Sequence, residues 1–244
     1  MEITNASSIT TDNSTYLIYG NPGMRKTSTA NYLEGKTLYI PIDKTQAPLS
    51  GNLSIDIAKF DAYEAWTNWN TLLKDLSTFD LSKYDTIFFD NISELTRSML
   101  ANLGREGNNN RVPSQANYQQ IDFFIIDSVR FIQTLGKRVV FTAWETTDKW
   151  ELPSGQAVNR AYPDIRIKIL NNFMGLCQVV AKSFINEETK NYGFILEPSP
   201  YIFAKNQLDN RKACAHEDIF KIGYVPEKQG GNKSCHSLNL MKQT

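Results

Sequence analysis

The sequence predicts an α/β fold, with a mostly parallel central sheet flanked by helices and extended near the C-terminus by antiparallel strands. Three observations carry that expectation. Short apolar runs rich in β-branched and aromatic residues (15–19, 37–43, 84–90 and 138–143) are separated by segments of helical periodicity. Two of them, 15–19 and 84–90, read as continuously apolar rather than alternating, as parallel strands covered on both faces do. Three further strand-like runs (178–184, 192–196 and 201–204) then follow close together, at a spacing that suits hairpins.

Taken in order, residues 1–13 are polar and aperiodic and read as a flexible leader to a domain spanning 14–225. Thr15 to Tyr19 forms a short buried strand that runs into Gly20-Asn-Pro-Gly-Met-Arg-Lys-Thr27. Thr27 to Leu33 is expected to continue as a helix, closed by Gly35. The second strand, 37–43, ends in the carboxylate of Asp43; Pro41 is tolerable near a strand end. Residues 54–60 alternate as a short strand. Ala65, Trp66, Trp69, Leu72, Leu73 and Leu76 fall at helical spacing within 62–76, an aromatic stripe that reads as core packing.

The run 84–90 ends in Asp90 and is followed by a helix over 93–103. Residues 104–117, with Asn108-Asn-Asn-Arg-Val-Pro113, read as a mobile loop. A helix over 118–135 places Ile121, Phe124, Ile125, Val129 and Ile132 on one face and is closed by Gly136. After the strand 138–143, Lys149 to Gly155 resembles two short edges around a Pro-Ser-Gly turn, and 163–173 a helix. The tail 226–244 is rich in Lys, Gly, Asn and Ser and is expected to be disordered. Early strand–helix alternation followed by late hairpins is the layout of a parallel sheet extended by an antiparallel edge.

Composition narrows the partners. The 244 residues carry 26 Lys plus Arg against 26 Asp plus Glu, so any nucleic-acid site must be a local patch. No apolar run reaches the roughly 18 residues of a membrane span. Cys177, Cys214 and Cys235 are scattered without metal-ligand spacing, as reduced thiols of a cytoplasmic protein would be.

The chemistry concentrates in Gly20, Asn21, Pro22, Gly23, Met24, Arg25, Lys26, Thr27 and Ser28. This is the phosphate-binding pattern G-x-x-x-x-G-K-[ST], except that Arg25 stands where the second glycine belongs. In such a loop Lys26 reaches the β- and γ-phosphates of ATP and the Thr27 hydroxyl ligates Mg²⁺. Asp90, at the C-terminal end of a buried strand, has the position of the second metal carboxylate; the alternative is a cap for the helix that follows. Asp43, Glu94 and Glu145 are all candidates for the base that activates water, and each could equally be a surface or capping carboxylate. Thr142 and Glu145 end the strand at which a γ-phosphate sensor is expected. Lys205-Asn206-Gln207, with Arg211 and Lys212 beyond, is either a solvated turn or a basic finger reaching the γ-phosphate of a neighbouring subunit.

These residues together resemble the phage P-loop nucleotide-binding proteins of the RecA lineage, short ATPases related to single-strand-annealing and RadA-like recombination factors. The resemblance rests on Tyr19 to Ser28, Ile87-Phe-Phe-Asp90, Val140-Phe-Thr-Ala143 and Ala204-Lys-Asn206, and covers about residues 15–222. It implies a RecA-like, oligomeric, ATP- and Mg²⁺-dependent ATPase that acts on single-stranded DNA in phage recombination or replication, alongside other proteins of those processes. By the same analogy Lys205 opens a Lys-Asn-Arg motif in which Gln207 replaces the arginine, and Trp144 stands where related proteins tend to carry histidine. DNA contacts are expected in 104–117 and 149–160, with Arg105, Arg111, Lys149, Trp150 and Arg160 as candidates. Two other readings stand beside this one. A non-hydrolysing DNA-annealing scaffold is favoured by Arg25, whereas a small P-loop kinase is disfavoured by the sparse arginines of both loops.

Overall fold

Apolar strands at the centre of the sequence become the centre of a sheet. The computed structural model describes residue 3 and residues 5–223; the expected disordered tail and the end of the expected domain lie outside the described residues. The strands are β1 (Thr15–Tyr19), β2 (Thr37–Pro41), β3 (Ile55–Ile57), β4 (Thr86–Asp90), β5 (Arg138–Ala143), β6 (Glu145–Glu151), β7 (Ala157–Pro163), β8 (Val179–Ile185), β9 (Tyr192–Ile195), β10 (Lys205–Asn206) and β11 (Ala213–Ala215). The helices are α1 (Ala65–Thr78), α2 (Ile92–Glu106), α3 (Gln115–Gln133) and α4 (Ile167–Leu176).

The main sheet has the order β11-β9-β8-β1-β5-β4-β2-β3. From β3 to β8 every pairing is parallel, and β9, β10 and β11 add antiparallel edges. This is the expected α/β architecture. The strand bearing Asp90 is separated from β1 by β5, so Asp90 reaches the loop after β1 across the end of the intervening strand.

The two faces of the sheet are covered differently. Leu17, Tyr19, Ile40, Phe89 and Phe141 pack with residues of the four helices, including Trp69, Met99, Ile125 and Phe173. Trp69 is 1% exposed, its indole N–H donates to Ser128 Oγ at 2.9 Å, and its ring packs against Phe60 and Phe89. Tyr16, Ile18, Tyr39, Phe88 and Val140 face the other way, onto short 3-10 segments and the C-terminal strands through Ala30, Leu49, Phe194, Ile219 and Phe220.

Four expected elements differ. Thr27–Tyr32 is a 3-10 helix rather than an α-helix, and Leu33 is already extended. Its Thr, Ser and Asn side chains compete for backbone groups, as Thr29 Oγ1 does in donating to the Lys26 carbonyl at 2.6 Å. The loop expected over 104–117 is shorter, because α2 runs to Glu106 and a Ser114–Asn117 capping box starts α3 at Gln115. The strand expected over 201–204 is reduced to isolated bridges at Ile202, with β10 beginning at Lys205. Finally, 149–155 belongs to a seven-pair antiparallel hairpin, β6–β7, that forms its own two-stranded sheet. Among the described residues no helix is long and apolar enough to cross a membrane.

Candidate nucleotide site

The site forms where the C-terminal ends of β1, β2, β4 and β5 meet. A cleft of about 310 Å³ is lined by Pro22 to Ser28, Asp43, Thr45, Pro48, Asp90, Asn91 and Trp144. Open parallel sheets bind ligands at this end because loops and unpaired strand termini converge there.

The loop leaves β1 under close steric control. A Cβ at Gly20 would fall 1.7 Å from Ser183 Oγ, and that hydroxyl donates to the Tyr19 carbonyl at 3.0 Å. A side chain at residue 20 would displace the Ser183 hydroxyl and break that hydrogen bond. Gly23 adopts φ 83° and Arg25 φ 55°, the latter a left-handed conformation costing a non-glycine residue about 1–2 kcal/mol. The Arg25 guanidinium is turned onto the Tyr192 ring, 4.1 Å from its centroid.

Lys26 is 8% exposed, and its ammonium donates to the carbonyls of Gly20 at 2.8 Å and Asn21 at 3.0 Å. Burial pushes its pKa down, while the charges of Asp90, Asp43 and Glu145 oppose that shift. Among the described residues its hydrogen-bond partners are carbonyl oxygens, and an anion in the cleft would offer this buried cation an ionic partner.

Asp90 is 2% exposed and gathers three hydroxyls. Thr27 Oγ1 and the Tyr39 phenol each donate to Oδ2 at 2.5 Å, and Thr142 Oγ1 donates to Oδ1. Burial first, and then the Asp90 charge, drive the Tyr39 phenol far above its ordinary pKa. Asp43 shares the pocket through Asn91, whose side-chain amide donates to Asp43 Oδ2, and through Thr45, whose N–H and hydroxyl donate to Oδ1 at 3.1 and 2.6 Å. Burial, followed by repulsion from Asp90, raises the Asp43 pKa.

The donor set fits a divalent cation held jointly with phosphate. Among the described residues there is no group of three His, Cys, Asp or Glu able to cage a metal. Thr27 and Asp90 would hold Mg²⁺, whose habit is one or two protein oxygens plus phosphate and water.

The other candidates lie elsewhere. Glu145, at the start of β6, is paired with Lys182 of β8 at 2.8 Å, both side chains being largely buried. Glu94 sits in the first turn of α2 and accepts from Ser98 Oγ at 2.7 Å. Neither lines the cleft. Lys205 pairs with Val180 near the start of β8, the sheet end opposite the loop, and its ammonium donates to the Gly175 carbonyl at 3.0 Å. Trp144 lines the cleft with the Arg97 guanidinium 4.9 Å from its ring centroid.

Of the DNA candidates, Arg105 lies on α2 rather than in a loop, donating to the Tyr63 carbonyl. Arg111 is exposed in the remaining loop. Lys149 and Trp150 lie on β6 and Arg160 on β7, with Trp150 46% exposed and the Arg160 guanidinium 5.0 Å from its centroid. Sequence reasoning missed Tyr39, Thr45, Asn91, Tyr192 and His216. Tyr39 is concealed within an apolar strand, and Tyr192 and His216 reach the loop only through the fold.

A family model described as AAA domain (AAA_24) matches residues 12–208. No curated protein matches the chain. Among solved structures, the flagellar accessory protein FlaH from Methanocaldococcus jannaschii is similar at 13% identity and a TM-score of 0.44, covering 82% of this chain and 83% of that one. The KaiC-like protein PH0186 from Pyrococcus horikoshii OT3 is similar at 10% identity and a TM-score of 0.44, covering 75% and 77%.

Proposed function

The chain belongs to the AAA domain family, and from that premise we propose that it is an ATP-binding, Mg²⁺-dependent ATPase acting with single-stranded DNA. The observation that carries the reading is the convergence of Lys26, Thr27, Asp90 and Asp43 from three separate strand ends on one cleft. Lys26 and the loop amides would meet the phosphates, while Thr27 and Asp90 would hold Mg²⁺, which would supply charge neutralisation. Asp43 is the base: of the three candidates it is the one lining the cleft, and its raised pKa suits proton transfer. Water attacks the γ-phosphorus, Asp43 takes its proton, and the bond between that phosphorus and the bridging oxygen to the β-phosphate breaks, leaving ADP.

The DNA part of the reading is supported by the β6–β7 hairpin. It continues directly from β5, whose Thr142 contacts Asp90, and it presents Trp150 as an exposed stacking surface backed by the Arg160 cation. Oligomerisation and a role in phage recombination or replication belong to the same proposal and follow from the family resemblance alone. The test is ATP turnover by the purified protein with and without single-stranded DNA, beside Trp150→Ala. DNA should stimulate wild-type turnover several-fold and the variant much less. Turnover indifferent to DNA would remove the polymer from the proposal, and phosphate transfer to added nucleosides would make the protein a kinase.

A further inference from the structure

We infer that the C-terminal antiparallel extension clamps the phosphate loop, with His216 and Tyr192 as positioning residues that hold Arg25 in the backbone conformation a glycine would adopt unaided. The inference rests on the nucleotide reading of that loop and concerns how this chain dispenses with the second glycine.

Arg25 has φ 55° in the middle of the loop, immediately before Lys26. Two contacts from far along the chain meet it. His216 Nε2 lies 3.0 Å from the Arg25 carbonyl, so that nitrogen carries the proton and donates. The Arg25 guanidinium lies over the Tyr192 ring. One contact therefore fixes the backbone of residue 25 and the other fixes its side chain.

The clamp is itself closely packed. His216 is 5% exposed and stacks on Phe194 with centroids 5.5 Å apart, while Tyr32 and Tyr192 meet its ring edge-on. Tyr192 and Phe194 lie on β9, and β11, pairing Ala215 with Gly193, delivers His216 beside them. A Cβ at Gly193 would fall 2.8 Å from the Cys214 carbonyl, so the two strands approach as closely as they do only because that residue is glycine. Burial lowers the His216 pKa, while the hydrogen bond to the Arg25 carbonyl and the Glu217 charge oppose that shift and the Arg25 charge adds to it. The carbonyl contact requires only that Nε2 carry a proton.

A glycine at position 25 enters the left-handed region without strain and has no need of the clamp. The inference therefore predicts an interaction between two distant positions. His216→Phe keeps a ring against Phe194 but removes the donor. In the nucleotide-free protein it should speed hydrogen exchange of the amides of Asn21 and of 23–27 by about tenfold, and in an R25G background by less than twofold. The dissociation constant of a fluorescent ATP analogue should follow the same pattern. Tyr192→Leu, which removes the guanidinium platform but leaves His216, supplies a second variant should the first fold poorly.

Equal acceleration in both backgrounds would reduce His216 to ordinary packing, and no acceleration in either would overturn the clamp. A wild-type protein that binds no nucleotide would sink the nucleotide reading instead, and the exchange measurement would still decide the clamp.

Discussion

Replacing Asp43 by asparagine is expected to lower ATP turnover by about 10²–10⁴-fold with little change in nucleotide affinity. In the proposed mechanism this cleft-lining carboxylate would accept a proton, while the phosphate contacts would come from the loop residues and Lys26. A second readout does not depend on activity. Burial and the Asp90 charge raise the Asp43 pKa in the folded state, so the native protein binds a proton there more readily than the unfolded chain. The favourable contribution of this group is therefore fully present below the ordinary carboxylate value of 3.8 and is lost as pH rises through the folded value. The stability of the wild type relative to Asp43→Asn should fall as pH rises across that window and level off above it. A flat difference, or one that rises, would show that the site does not press on Asp43 as described.

Asp90→Asn is expected to cost about 10²–10³-fold in Mg²⁺-dependent turnover, because it removes the one carboxylate that Thr27, Tyr39 and Thr142 share. The side chain keeps its size, so the cost should lie in metal dependence, seen as a much higher Mg²⁺ requirement. The two carboxylates are also linked. Asp90 is the second cause of the raised Asp43 pKa, and neutralising it should bring Asp43 closer to its ordinary value. The pH-dependent stability component of Asp43 should therefore shrink in Asp90→Asn. Turnover within a few-fold of wild type would mean that the cation, if used, is held elsewhere.

The parts of this site legible in the sequence are those encoded by local pattern. An apolar strand that ends in a carboxylate places that carboxylate at the ligand-binding end of a parallel sheet, which locates Asp43 and Asp90, and the phosphate-loop pattern locates Lys26 and Thr27. Choosing among Asp43, Glu94 and Glu145 was beyond the pattern. It depends on Lys182 meeting Glu145 and Ser98 meeting Glu94, contacts set by strand order and helix phase. The consequence of Arg25 was likewise hidden, since His216 lies 191 residues away in sequence. In the sequence Lys205 reads as either a solvated turn or a finger toward a neighbouring subunit; its strand pairs with the start of β8, and only the register of that pairing reveals which end of the sheet it occupies. The 3-10 geometry after the loop reflects side-chain competition for backbone groups, which a helix-start pattern does not register.

The most direct measurement is the binding and hydrolysis of ATP with Mg²⁺ by wild type and Lys26→Ala. Lys26 is a buried cation of the cleft and, among the described residues, donates to carbonyl oxygens. The wild type should bind and turn over ATP, and the variant should stay folded but lose turnover by at least about 100-fold. Equal binding and turnover by the two proteins, or none by a folded wild type, would contradict the nucleotide site.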